Sequence, residues 1–378
     1  MAEPPDLALV ECEHCGALVP EGAFCGNCGA HLSDAGGRSR MAEYAPTPAE
    51  HVARMSLIST FFPHLPQRHA HVFREALIIG VVVVVLLGAL QLYAPALLVA
   101  AVLLPAVYLV YLYEIDLYES EPGRVFAATL VAGIALGTGY TLVLSHLISG
   151  RIGGTVQGPF VTGGALPIVA QLLMLAGPLL LLPRARFDET LDGLTFGIIS
   201  ALGFTAAAVI TGDWHVLTAP LRGAASVSAE NIAGVIRSAI LAPIVNASTT
   251  GMITAALWLQ HHGRSRQRHV SASRSVAATV VVAFGAQVIL GIVSYYSTSV
   301  AMLLVFWAIA AAALLVWLRV IIHNALLEEG SEQAIDELSA CPECHRLVPT
   351  MTFCPACGVA RSAASKRTRT QRLVDEGA

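Results

Sequence analysis

Two uninterrupted apolar stretches decide what this chain can fold into. Residues 76–112 carry no charge, and neither do residues 275–318. A bilayer-spanning helix needs roughly 20 mostly apolar residues, so each stretch holds two spans. Ala94-Pro95 divides the first, and the polar hinge Ser294-Tyr295-Tyr296-Ser297-Thr298-Ser299 divides the second. Residues 125–150, 165–183, 193–212 and 232–260 supply four more. Backbone groups in lipid must be satisfied within the segment, which selects helices. The expected fold class is therefore an all-α polytopic membrane protein with eight transmembrane helices. Composition agrees: 55% of the residues are apolar and 13% charged, against about 25% charged in soluble domains. The first apolar run starts too far into the chain, and without a cleavage pattern, to read as a signal peptide.

Arginine sets the orientation. One side of the eight spans collects eleven arginines near the span ends and the other only Arg151 and Arg222. The positive-inside rule puts both termini in the cytoplasm, and the expected location is the cell (inner or plasma) membrane. A net charge of −4 gives no electrostatic footprint for nucleic acid. The expected partners are membrane lipid and other proteins, with a homo-oligomer left open.

All eight cysteines fall into two modules of identical spacing. Cys12-x2-Cys15-x9-Cys25-x2-Cys28 recurs as Cys341-x2-Cys344-x9-Cys354-x2-Cys357. The neighbours recur too: Leu18-Val19-Pro20 matches Leu347-Val348-Pro349, Phe24 matches Phe353, and Gly29 matches Gly358. Two C-x-x-C turns bring four thiolates to one tetrahedral ion. Some twenty residues cannot build a core of their own, so metal binding would fold each module. Disulfides are the alternative, and cytosolic reductants oppose them. Two structural zinc ions are expected, with no open position for catalysis. The resulting map has an N-terminal ribbon at 8–32, a linker and interfacial segment at 33–74, and the membrane domain at 75–325. A second linker at 326–339, the C-terminal ribbon at 340–361 and a basic disordered tail at 362–378 follow. Phe61 and Phe62 in the interfacial segment are expected at headgroup depth.

The loop Tyr113-Glu114-Ile115-Asp116-Leu117-Tyr118-Glu119-Ser120-Glu121-Pro122 resembles the acidic "YExDxYExEP" loop of the PrsW family of intramembrane proteases. Phe187-Asp188-x3-Asp192-Gly193-x2-Phe196-Gly197-x5-Gly203-Phe204 is similar to that family's "FD…DGxxxG…GF" stretch. The resemblance implies a bundle like that of the CAAX-processing peptidases, with glutamates and a histidine as catalytic groups. Those groups are substituted here. The family's EExxK motif falls on Ala170-Gln171-Leu172-Leu173-Met174, its next glutamate on Ala208, and no histidine lies in the span around Asn246. Alanine and methionine move no protons, and Gln171 does not ionise. The resemblance thus implies the scaffold and argues against the activity.

Three function classes stand against one another. The first is a degenerate PrsW-like scaffold or regulator that binds partners through its bundle and ribbons. The second is an active protease whose catalytic groups have moved; His146, Asp213 and His215 read either as an acid–base pair on the outer face or as solvated interface residues. The third is a solute or lipid transporter, disfavoured because the spans lack midplane charge and a detectable repeat. Arg237 reads as a snorkelling residue or a partner of Glu230. Asn246, Ser248, Thr249 and Thr250 read either as a polar cavity or as interhelical hydrogen bonding.

Overall fold

The computed structural model describes residues 8–32, 43–67, 70–115, 123–149, 158–218, 229–265, 272–329 and 338–364. It divides into two compact units. A ribbon unit comprises Met1–His71, Leu112–Glu121 and Arg319–Ala378, and a helical unit comprises Val72–Tyr111 and Pro122–Leu318.

The ribbon unit opens with β1 (Leu9–Glu11) and β2 (Leu18–Pro20), continues through β3 (Glu43–Tyr44), β4 (Thr47–His51) and α1 (Leu57–Phe61), and closes with β5 (Leu338–Ala340) and β6 (Leu347–Pro349). β1 and β2 pair antiparallel with Val10 opposite Val19; β5 and β6 repeat that register with Ser339 opposite Val348. The ribbons match turn by turn. Cys25 N–H donates to the Ala30 carbonyl at 2.7 Å, and Cys354 N–H to that of Val359 at 3.0 Å. Gly29 and Gly358 both take φ +74°, a left-handed turn that favours glycine.

The segment between the first ribbon and the first span is more structured than its composition implies. Residues 43–51, expected as linker, form the β3–β4 hairpin. Phe61, Phe62 and Leu65 are each about 1% exposed. They are core residues of this unit, covered by protein. Leu65 N–H donates to the Ala363 carbonyl at 3.0 Å, and Gln67 N–H to Glu343 Oε2 at 2.7 Å. Ser362 and Ala363, assigned by sequence to a disordered tail, are buried. The basic residues from Lys366 onward lie outside the described residues.

The helical unit runs through α2 (Val72–Ala89), α3 (Tyr93–Glu114), α4 (Gly123–Ser149), α5 (Leu166–Leu179), α6 (Thr190–Gly212), α7 (Trp214–Leu217), α8 (Ala229–Val235), α9 (Ala242–Ser265), α10 (Ala272–Tyr296) and α11 (Val300–Glu329), with the end of α3 and of α11 counted in the ribbon unit. A π-helical turn, Pro159–Ala165, leads into α5, and another, Ile236–Leu241, joins α8 to α9. Among the described residues eight helices are long and apolar enough to cross a membrane, which makes this a multi-pass membrane protein. The fourth span begins at Pro159, ahead of residue 165 where the apolar run of the sequence starts it. Glycine is used there for close approach: a Cβ on Gly163 would lie 3.0 Å from the Ile292 backbone of α10.

α6 is the centre of the bundle, with most of its residues buried, whereas almost none of α2 is. It begins at a capping box, with Glu189 N–H donating to Asp192 Oδ2 at 3.2 Å and the Glu189 side chain accepting in return from the backbone of Asp192. Lipid gives no hydrophobic drive between helices, so small residues let backbones meet. Gly133 and Gly137 of α4 face the backbone of Ser200 and Phe204 in α6. On the opposite contact, a Cβ on Gly193 would lie 2.6 Å from the Trp258 ring of α9. Phe126, Phe187, Phe196 and Trp258 form a continuous aromatic cluster, and Trp258 Nε1 donates to the Phe187 carbonyl at 3.0 Å. The "FD…DGxxxG…GF" residues therefore have packing and capping roles here.

Candidate metal centres and the polar core of the bundle

Each ribbon gathers four sulfur atoms within 4.8 Å of one another. Sγ–Sγ separations are 3.8 Å for Cys12–Cys28 and Cys15–Cys25, 3.7 Å for Cys341–Cys357 and 3.8 Å for Cys344–Cys354. A tetrahedral ion with metal–sulfur bonds of about 2.3 Å requires ligand edges near 3.8 Å, whereas a disulfide bond measures about 2.05 Å. The sulfurs stand at the spacing of a four-thiolate metal site, so both clusters can hold zinc or a metal of similar preference. Within each cluster the thiols share hydrogen bonds that favour the thiolate of one cysteine and push its neighbour, Cys28 or Cys357, upward. Hydrogen bonding from Cys28, aided by the N–H groups of Cys28 and Asn27, brings the Cys25 thiol down to about 5. Hydrogen bonds from Cys341 and then Cys357 bring Cys354 down to about 3. Among the described residues no other three or more His, Cys, Asp and Glu side chains converge in this way.

The two ribbons pair with each other. Phe24 N–H donates to the Pro355 carbonyl at 3.0 Å, and Phe353 N–H to the Gly26 carbonyl at 2.9 Å. Phe24 and Phe353 occupy equivalent positions, as do Gly26 and Pro355, so the two bonds are related by exchange of the ribbons. Met351 of the second ribbon joins the core of the first, beside Cys12, Val19, Cys25 and Ala30. The sequence shows the repeat but not that one copy completes the other.

The pair is fastened to the end of α11. Arg319 is fully buried, donates to Glu50 Oε2 at 2.6 Å and to Ser59 Oγ at 2.5 Å, and lies 3.7 Å above the Tyr44 ring centre. Ala45 N–H donates to His323 Nδ1 at 3.2 Å, and its carbonyl accepts from Ala360 N–H at 2.9 Å. The carboxyl of Glu50 lies below its usual value: burial opposes this, and hydrogen bonds from Ser59 and Arg319 with the Arg319 charge outweigh it.

In the helical unit, one of the positions expected to carry the family's carboxylates, Gln171, sits in a neutral polar cluster. Gln171 of α5 is fully buried. Its amide nitrogen donates to Thr250 Oγ1 at 3.0 Å, and its oxygen accepts from Thr249 Oγ1 at 2.8 Å and Gln287 Nε2 at 3.2 Å. Gln287 Nε2 also donates to Asn246 Oδ1 at 2.8 Å, and Asn246 Nδ2 to Thr205 Oγ1 at 2.9 Å. Met174 is 1% exposed, with its sulfur 3.9 Å from Thr250 Oγ1. Ala170 and Ala208 are half-buried. Sequence reasoning missed Gln287, although a lone amide in a charge-free span is a visible signal.

Other candidates separate. His146 and His215 are exposed, and no contact joins His146 to Asp213 among the described residues. Burial raises Asp213 above its usual value against the charges of His215 and Arg237. The side chain of Glu230 lies outside the described residues. Of the acidic loop, Glu114 accepts from His71 N–H at 2.5 Å; Asp116 to Pro122 lie outside the described residues.

Geometry thus defines a class: a multi-pass helical membrane protein bearing two paired four-cysteine modules, each able to hold a metal ion. Comparison of the chain with protein-family models, curated proteins and solved structures finds no match in any of the three. The likeness to the PrsW family rests on the two sequence stretches alone.

Proposed function

We propose that the chain is a membrane scaffold or regulator built on a PrsW-like bundle without peptidase chemistry, with both termini in the cytoplasm and a structural zinc ion in each ribbon. The observation that carries this reading is the cluster of Gln171, Asn246, Thr249, Thr250 and Gln287. A protease of the resembling family needs an ionisable base at such a centre to activate water. Here amides and hydroxyls satisfy one another, which ties four helices together and offers no base. Zinc is favoured because four thiolates fill every position of a tetrahedral ion, which suits a structural site. The pairing of the ribbons supports a scaffold in which both chain ends act as one element. Their knuckles are used on each other, and the outer strands with exposed Leu18 and Leu347 are what remains for a protein partner.

The test is reconstitution of the intact protein in lipid vesicles with a single-span substrate. No cleavage is expected. Cleavage that survives purification and disappears in an Asn246→Ala or His146→Ala variant would overturn the scaffold reading in favour of a relocated active site.

A further inference from the structure

We propose that the two four-cysteine sites form one cooperative metal unit, in which filling either ribbon raises the metal affinity of the other. The inference rests on reading both clusters as metal sites and adds a coupling between them. Its basis is where the contacts fall. Phe24 and Gly26 flank the ligand Cys25, while Phe353 and Pro355 flank Cys354; the two hydrogen bonds between ribbons use these four residues. The knuckle that places the third ligand of each site is therefore also the docking surface for the other ribbon. Met351 supplies side-chain bulk to a core containing Cys12 and Cys25. At the position equivalent to Met351 the first ribbon has Gly22, where a Cβ would lie 2.8 Å from the Pro355 carbonyl oxygen. A side chain of any size there would hold the ribbons apart.

A module this small has little core of its own, and metal binding supplies its folding free energy. Ordering one knuckle builds half of the shared interface, so the second ion binds a partner whose ordering cost is already partly met. Linkage makes the effect reciprocal: whatever factor the first site exerts on the second, the second exerts on the first. Couplings of this kind commonly amount to about 5-fold to 150-fold in affinity.

The experiment uses the full chain in detergent with Co²⁺ as the probe, its thiolate absorption bands reporting occupancy and a chelator of known affinity setting the free ion. Emptying the first site with Cys12→Ser and Cys15→Ser should weaken Co²⁺ binding at the second by about 5-fold to 150-fold. Cys341→Ser with Cys344→Ser should weaken the first by the same factor. Met351→Gly cuts the interface while keeping a residue that the first ribbon tolerates at the equivalent turn, and should bring the factor towards one. If the wild type binds two ions and emptying one site leaves the other unchanged, the coupling is overturned and the metal sites stand. If the wild type binds no Co²⁺, both are overturned.

Discussion

Arg319 offers the sharpest test of how the ribbon unit is held. Replacing it by methionine keeps the apolar stem and removes the guanidinium from a site with no solvent access. Breaking a buried ion pair costs about 3–5 kcal/mol, because the remaining charge loses its partner. The Glu50 side chain keeps 20% exposure and its 2.6 Å bond from Ser59, which favours the lower end, about 3 kcal/mol. Backbone amide exchange in residues 43–51 should then accelerate by about a hundredfold, since each 1.4 kcal/mol is a factor of ten. Replacing both partners by apolar side chains, Glu50→Leu with Arg319→Met, should recover most of that loss. The pair should also fail in acid. The carboxyl of Glu50 sits below its usual 4.5 in the fold, so its stabilisation is fully present above pH 4.5 and is lost as pH falls through the depressed value. That acid sensitivity should weaken in Arg319→Met, where the Ser59 bond remains but the guanidinium is gone. Unchanged exchange in the single variant, or a double variant as labile as the single, would refute the account.

Gly197→Ala would put a Cβ 3.1 Å from the backbone of Gly251 and Thr250 in α9 and should cost about 1–3 kcal/mol in detergent-denaturant unfolding. Gly88→Ala, which meets nothing within 4 Å, should be near neutral in the same assay. Elemental analysis of purified protein should give two zinc ions per chain; none, or protected disulfides after anaerobic purification, would end the ribbon reading. A reporter that matures only in the cytosol should give signal at either terminus and none at Gly154 or Arg222. Signal at Gly154 would mean a miscounted span.

Long-range order and short-range order were not equally legible. Apolar runs such as 76–112 and 275–318 state their own structure, because lipid leaves a backbone one choice, the helix. Eight helices and two sets of four cysteines with fixed spacing followed from the chain alone, since span length and ligand spacing are properties local to a segment. What escaped the sequence depends on contacts between distant residues. Phe61 and Phe62 look like interfacial anchors until the ribbon unit buries them, and residues 43–51 look like linker until Arg319 and Ala360 give the hairpin something to bind. Gln171 alone reads as a lost catalytic glutamate. Only the meeting of α5, α6, α9 and α10 gives it Thr249, Thr250 and Gln287 as partners. The ribbon repeat was plain in the sequence, but its pairing was decided by tertiary structure, because two surfaces of under thirty residues each become a core only when Met351 of one closes over Cys12 and Cys25 of the other.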